Sequence, residues 1–229
     1  MEQYTQGNVE TKEERIKRML GLRNFPIRDS EERMKLLKSN GRSTAWEAIK
    51  TTTMPQSKRE IKKGIVLEIL DKDIIPAQIL KEFPLVYLGS GTDVEYPLAL
   101  GARKIIMVDP ILHIPDVRQE VIAKLDRMTS GNANYTGNVF DFEFDFGNGK
   151  ETASIELVSK PFPYSEDARK DEDYDIPANT GVIVLFASQG PGGLVRSGEN
   201  MRAKLADEGV IIEEHSVITK NGEVIELGA

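Results

Sequence analysis

The chain has no cysteine among its 229 residues. Disulfides, thiolate metal sites, thiol nucleophiles and iron–sulfur clusters are thereby excluded. It has two histidines, His113 and His215, far apart in sequence. Zinc and iron centres draw on thiolate and imidazole ligands, so no metal site is expected. Aromatic residues make up 7%, with a single tryptophan, Trp46. Basic residues are not interleaved with aromatics, and nucleic acid is not an expected partner. No apolar run approaches the ~20 residues that cross a bilayer, and no charged-then-apolar signal opens the chain. The expectation is a cytoplasmic protein with no membrane partner.

Apolar content of 39% and charged content of 29% are enough for a packed core. The net charge of −7 is uneven: residues 1–83 carry 17 Lys+Arg against 13 Asp+Glu, and the rest 13 against 24. The signs alternate in "TKEERIKR" and "SEERMKLLK", which reads as solvated helix faces.

The first 83 residues read as a helical N-terminal cap. Thr11 with Glu14, Thr44 with Glu47 and Ser57 with Glu60 have capping-box spacing, and Ser30 precedes "EERMKLLK". Gly21 and Gly41 follow two of these stretches as stop signals. The last helix, "IKKGIVLEIL", has apolar Ile61, Ile65, Leu67, Ile69 and Leu70, and Pro76 opens "PAQILKEF".

From residue 84 to 229 the pattern changes to apolar runs alternating with helix-like segments. "LVYL" (85–88), "KIIMV" (104–108), "SIELV" (154–158), "GVIVLF" (181–186) and "GVIIEE" (209–214) are the candidate strands. The uninterrupted runs suit parallel strands covered on both faces. "PDVRQEVIAKLDRM" and "SGENMRAKLADEG" are the candidate helices between them. This alternation predicts an α/β fold of three layers, Rossmann-like, with a mostly parallel sheet. "NVFDFEFDFGNGKETASIELV" places phenylalanine at every second position from 140 to 146, then a Gly-Asn-Gly turn, so a hairpin is expected there. Asp141, Glu143 and Asp145 would form its wet face. "SVITKNGEVIELG" predicts an antiparallel edge hairpin at the C-terminus.

The stretch "VYLGSGTDVEYPLALGARKIIMVDP" joins two of these strands. Gly89 and Gly91 follow the first, and Asp109, 20 residues after Gly89, ends the second. Glycines there let the backbone turn sharply and approach a ligand closely. A carboxylate at the end of the next strand can accept hydrogen bonds from two ribose hydroxyls. The spacing suits an adenosine-type ligand. Val94 stands where a dinucleotide fingerprint needs its third glycine, and no Gly-Lys-Ser/Thr is present for a phosphate loop.

Those residues resemble the first two motifs of class I S-adenosylmethionine (SAM) dependent methyltransferases. "TGVIVLFASQGPGG" is similar to the fourth-strand motif of that family, and "AKLADEGVIIEE" to the approach to its fifth strand. The resemblance spans roughly residues 84–214. It implies SAM as cofactor, with Gly89, Ser90 and Gly91 in the cofactor loop and Asp109 on the ribose. It also implies Pro110 and Ile111 beside the adenine and Phe186 facing the methyl group. Asp93 stands where a third glycine is common and could supply a carboxylate to the cofactor's ammonium. Tyr87 replaces a frequent acidic residue, and the C-terminus lacks room for the usual long helix before its hairpin. Ser188 and Gln189 are the acceptor-side candidates. The expected function is methyl transfer to a small-molecule acceptor. Two alternatives stay open: an inactive methyltransferase-like binding or regulatory module, and another nucleoside- or NAD-binding Rossmann protein.

Overall fold

A computed structural model describes residues 56–147, 149–162, 171–186 and 198–228. The capping patterns at Thr11, Ser30 and Thr44, and the candidates Ser188 and Gln189, lie outside the described residues.

Helices α1 (Gln56–Asp71) and α2 (Ala77–Glu82) lead into strand β1 (Leu85–Leu88), which is buried at every position. Helix α3 (Glu95–Leu100) ends at Gly101, whose φ of +103° stops it in the left-handed region. Strand β2 (Lys104–Val108) follows, then a 3-10 turn (Pro110–His113) capped by the Asp109 side chain, and helix α4 (Pro115–Thr129). Next come β3 (Asn134–Thr136), β4 (Val139–Asp145), β5 (Lys150–Val158) and β6 (Thr180–Leu185). A five-residue helix, α5 (Glu199–Ala203), precedes β7 (Leu205–Ile212), and β8 (Ser216–Thr219) and β9 (Val224–Glu226) complete the sheet.

The nine strands form one sheet in the order β3-β4-β5-β2-β1-β6-β7-β8-β9. The five central strands, β5 to β7 in that order, pair in parallel. Both margins are antiparallel, through β3–β4–β5 on one side and β7–β8–β9 on the other.

The expectation of a three-layer Rossmann-like fold with a mostly parallel sheet is therefore corrected: the sheet is mixed and the helices among the described residues are few. The physical reason lies in the connections. Helices α1 and α2 share one apolar cluster with α3, α4 and alternate strand residues such as Leu85, Tyr87, Val182 and Val184. The opposite face gathers Val86, Leu88, Ile183 and Leu185 against Phe162, Ile176 and Met201. Among the described residues, only the short α5 is helical on that second face. The stretch "LADEG", read from its pattern as the end of a helix, belongs to β7. Glu208 there has a φ of +62°, and the β6–β7 register shifts between Thr180 and Val182. A bulge therefore replaces the expected helical turn.

The hairpin at residues 138–158 is part of the main sheet. Phe140, Phe142, Phe144 and Phe146 are all buried, while Asp141, Glu143 and Asp145 face outward. The period of two sets that division. Among the described residues, no group of three or more histidines and acids converges to hold a metal ion. No helix among them is long and apolar enough to cross a membrane.

Candidate functional site

Strand β1 occupies the middle of the sheet. The chain leaves it toward β2 and β5 on one side, and returns on its other side as β6. Connections that diverge in this way open a crevice at the carboxyl ends of the parallel strands. The segment leaving β1 into that crevice is Gly89–Val94.

Two glycines make the turn possible. Gly89 has a φ of +65° and Gly91 of +54°, a region costly for residues with a Cβ. The Gly89 amide donates to Val108 O at 2.8 Å, tying the turn to the end of β2. A Cβ on Gly89 would stand 3.2 Å from the Phe162 ring. The close approach that Gly89 permits is thus, in this structure, to a protein ring.

Four charged side chains hold the loop. Asp109 Oδ2 accepts from the Gly91 amide at 2.8 Å, and its Oδ1 from the Ile111 amide at 3.0 Å. The glycine turn and the acid at the end of β2, 18 residues apart in sequence, are thus in direct contact. Asp109 is 2% exposed, and burial raises its carboxyl to about 6 against the pull of those two amides. On the α4 side, Lys124 Nζ donates to Thr92 O at 2.7 Å, and Thr92 Oγ1 donates to Glu120 at 2.8 Å. Lys124 also pairs with buried Glu95 at 3.4 Å. On the α1 side, Lys62 Nζ donates to Asp93 Oδ2 at 2.7 Å and to the Tyr87 hydroxyl at 2.6 Å. The Tyr87 hydroxyl donates in turn to Asp93 at 3.1 Å.

Aromatic rings enclose that lysine. Its ammonium lies 4.8 Å from the ring centroid of Phe186, 5.3 Å from Tyr87 and 5.7 Å from Tyr96. The rings also pack on one another, with Tyr96 and Phe186 edge to face at 5.0 Å. The Tyr96 hydroxyl is buried without a hydrogen-bond partner among the described residues. Burial, with the Asp93 charge as a smaller contribution, raises Tyr96 well above the ordinary tyrosine range, so its hydroxyl stays protonated. Ser90 is 4% exposed, and its hydroxyl also lacks a partner among the described residues. An unpaired buried hydroxyl costs about 1–3 kcal/mol, and each one asks for an explanation.

Gly89, Ser90, Gly91, Asp93 and Asp109 lie together at the carboxyl ends of β1 and β2. Pro110 and Ile111 begin the 3-10 turn that the Asp109 carboxylate caps, and Ile111 is buried in the core beside α4. Phe186 reaches in from the end of β6. His113 ends the 3-10 turn, exposed, with its Nδ1 at hydrogen-bond distance from Pro110 O. His215 is exposed between β7 and β8. Sequence reasoning missed Lys62 and Tyr96. For Lys62 a signal existed: it stands three, four and seven residues before Ile65, Val66 and Ile69, on the apolar stripe of α1.

No family model, curated protein or solved structure matches the chain.

Proposed function

We propose that the crevice at the carboxyl ends of β1, β2 and β6 binds SAM, and that the protein is a cytoplasmic methyltransferase acting on a small-molecule acceptor. The observation that carries this reading is the contact between the Gly91 amide and Asp109. It brings a strand-ending carboxylate and a glycine turn to one place, beside a serine hydroxyl that has no partner among the described residues. A carboxylate has about four acceptor sites. Two are taken by the Gly91 and Ile111 amides, which leaves one on each oxygen for a pair of vicinal ribose hydroxyls. Methyl transfer from a sulfonium is an in-line displacement, so alignment and exclusion of water supply most of what the reaction needs. The likeness of "VYLGSGTDVEYPLALGARKIIMVDP" to the methyltransferase motifs supports SAM as the ligand to test first.

Isothermal titration with SAM and with S-adenosylhomocysteine tests the reading. Both are expected to bind, and Asp109→Ala to weaken them by about 1–3 kcal/mol through lost charged hydrogen bonds. Absence of heat at millimolar ligand would rule out the cofactor. Unchanged affinity in a folded Asp109→Ala variant would rule out the ribose role, and binding of NAD in preference to SAM would favour a dinucleotide ligand.

A second reading, a binding module without turnover, is favoured by Lys62. Its ammonium fills the space between Asp93 and Phe186. Ligand binding without any release of S-adenosylhomocysteine would select that reading.

A further inference from the structure

Helix α1 places Ile65, Val66 and Ile69 in the core, and Lys62 lies on the same side of it, 6% exposed. Burying an ammonium is costly even when it is paired, and an apolar residue in its place is often neutral or stabilising. The surroundings of Lys62 are nonetheless built for a cation. Asp93 supplies the counter-charge at 2.7 Å. The Tyr87 hydroxyl supplies an acceptor at 2.6 Å. Three aromatic rings lie within cation–π range. The buried Tyr96 hydroxyl adds a polar group that Lys62 does not use. Among the described residues, the walls of this cage come from β1, the glycine loop, α3 and the end of β6. These are the same elements that frame the crevice. The cation is delivered by α1.

We propose that Tyr87, Asp93, Tyr96 and Phe186 form a binding site for the organic onium group, ammonium or sulfonium, of a small-molecule ligand, and that Lys62 is the internal cation that fills it until the ligand arrives. The inference rests on the crevice being a ligand site and deepens that reading by naming the chemical group recognised and the residue that competes with it. A ligand carrying an onium group would take over the Asp93 charge and the aromatic faces as the Lys62 head moves out. The Tyr96 hydroxyl would then be available to a donor or acceptor on the ligand.

Lys62→Ala removes three methylenes and the ammonium, which together are n-propylammonium. Melting temperatures of the Lys62→Ala variant are measured with n-propylammonium chloride against sodium chloride at equal ionic strength. A saturable rise of at least about 2 °C is expected with the amine. The rise should be lost when Asp93→Asn is added, and absent with neutral 1-propanol. Equal shifts with the amine and with sodium chloride in folded Lys62→Ala would overturn the proposal.

The wild-type protein supplies a second measurement that needs no variant to fold. Acetylation of Lys62 by an amine-reactive reagent, followed by mass spectrometry, should be slow relative to the exposed Lys72. It should accelerate several-fold with tetramethylammonium chloride but not with sodium chloride. Acetylation of Lys62 that ignores tetramethylammonium would overturn the displacement. The two readings fail separately. Propylammonium rescue without SAM binding keeps the onium site and discards the cofactor. SAM binding without rescue discards the onium site and keeps the cofactor.

Discussion

Asp109 and Lys62 are two buried charges with opposite histories in the sequence. Asp109 is legible because it ends an apolar run 20 residues after a glycine. Its environment is legible only in three dimensions, where each oxygen takes one backbone amide inside the core. Burial raises its carboxyl from an ordinary 3.8 to about 6. The native state therefore holds a proton that the unfolded chain releases between those two values. The stabilisation from that proton is complete below about pH 4 and is lost as the pH rises to about 6. Asp109→Asn removes the titration while keeping one acceptor oxygen. The unfolding free energy of the wild type relative to Asp109→Asn should fall by up to about 3 kcal/mol across that window. Urea titrations of both proteins from pH 4 to pH 7 measure it, and a difference that does not change with pH would contradict the buried carboxyl. Lys62 went unread because a lysine on an apolar stripe usually extends its head to water. Here Asp93 and Tyr87 meet the ammonium instead.

At the scale of elements, period and turn residues were good guides. Helix α4 follows the helical spacing of Val117, Val121 and Leu125, which are all buried. The C-terminal hairpin turns where Gly222 takes a φ of +85°. The phenylalanines of β4 face inward at every second position. The misread element is the start of β7. "AKLADEG" has no strict period, and its strand pairing is made by β6, a partner more than twenty residues earlier in sequence. The junction of β6 with α2 is equally invisible in the sequence. A Cβ on Gly181 would stand 2.7 Å from Phe83 Cβ, 2.9 Å from Ile79 Cγ2 and 3.0 Å from Ile79 O. Gly181→Ala should therefore force α2 away from the sheet and cost about 1–3 kcal/mol. The midpoint of urea unfolding tests this, and a midpoint equal to that of the wild type would mean α2 does not pack as described.

For the molecule as a whole, one sheet is shared by two apolar clusters. Neighbours in β6 point to opposite sides: Val184 joins the cluster under α1 to α4, and Ile183 the one under Phe162 and Ile176. Because the same strands serve both faces, the two clusters are expected to unfold together. Val184→Ala and Ile183→Ala should each cost about 2–4 kcal/mol. In each variant, far-ultraviolet circular dichroism and tyrosine fluorescence should shift as a single coincident transition. Separate transitions for the two probes would show that the faces unfold independently.

The amino-acid order by itself determined where most strands run, where the hairpins turn and which faces of β4 and α4 are apolar, because these follow from local periodicity and from glycine. It also determined that no thiol chemistry is available. Tertiary structure alone decided that β5 pairs with β2 as well as with β4, which gives the parallel centre a second antiparallel margin opposite the C-terminal edge hairpin. It alone decided that a lysine from α1 meets Asp93 beside the glycine turn. Strand partners and buried charge pairs are set by contacts between distant segments, and hydrophobic period carries no record of which distant segment will be the neighbour.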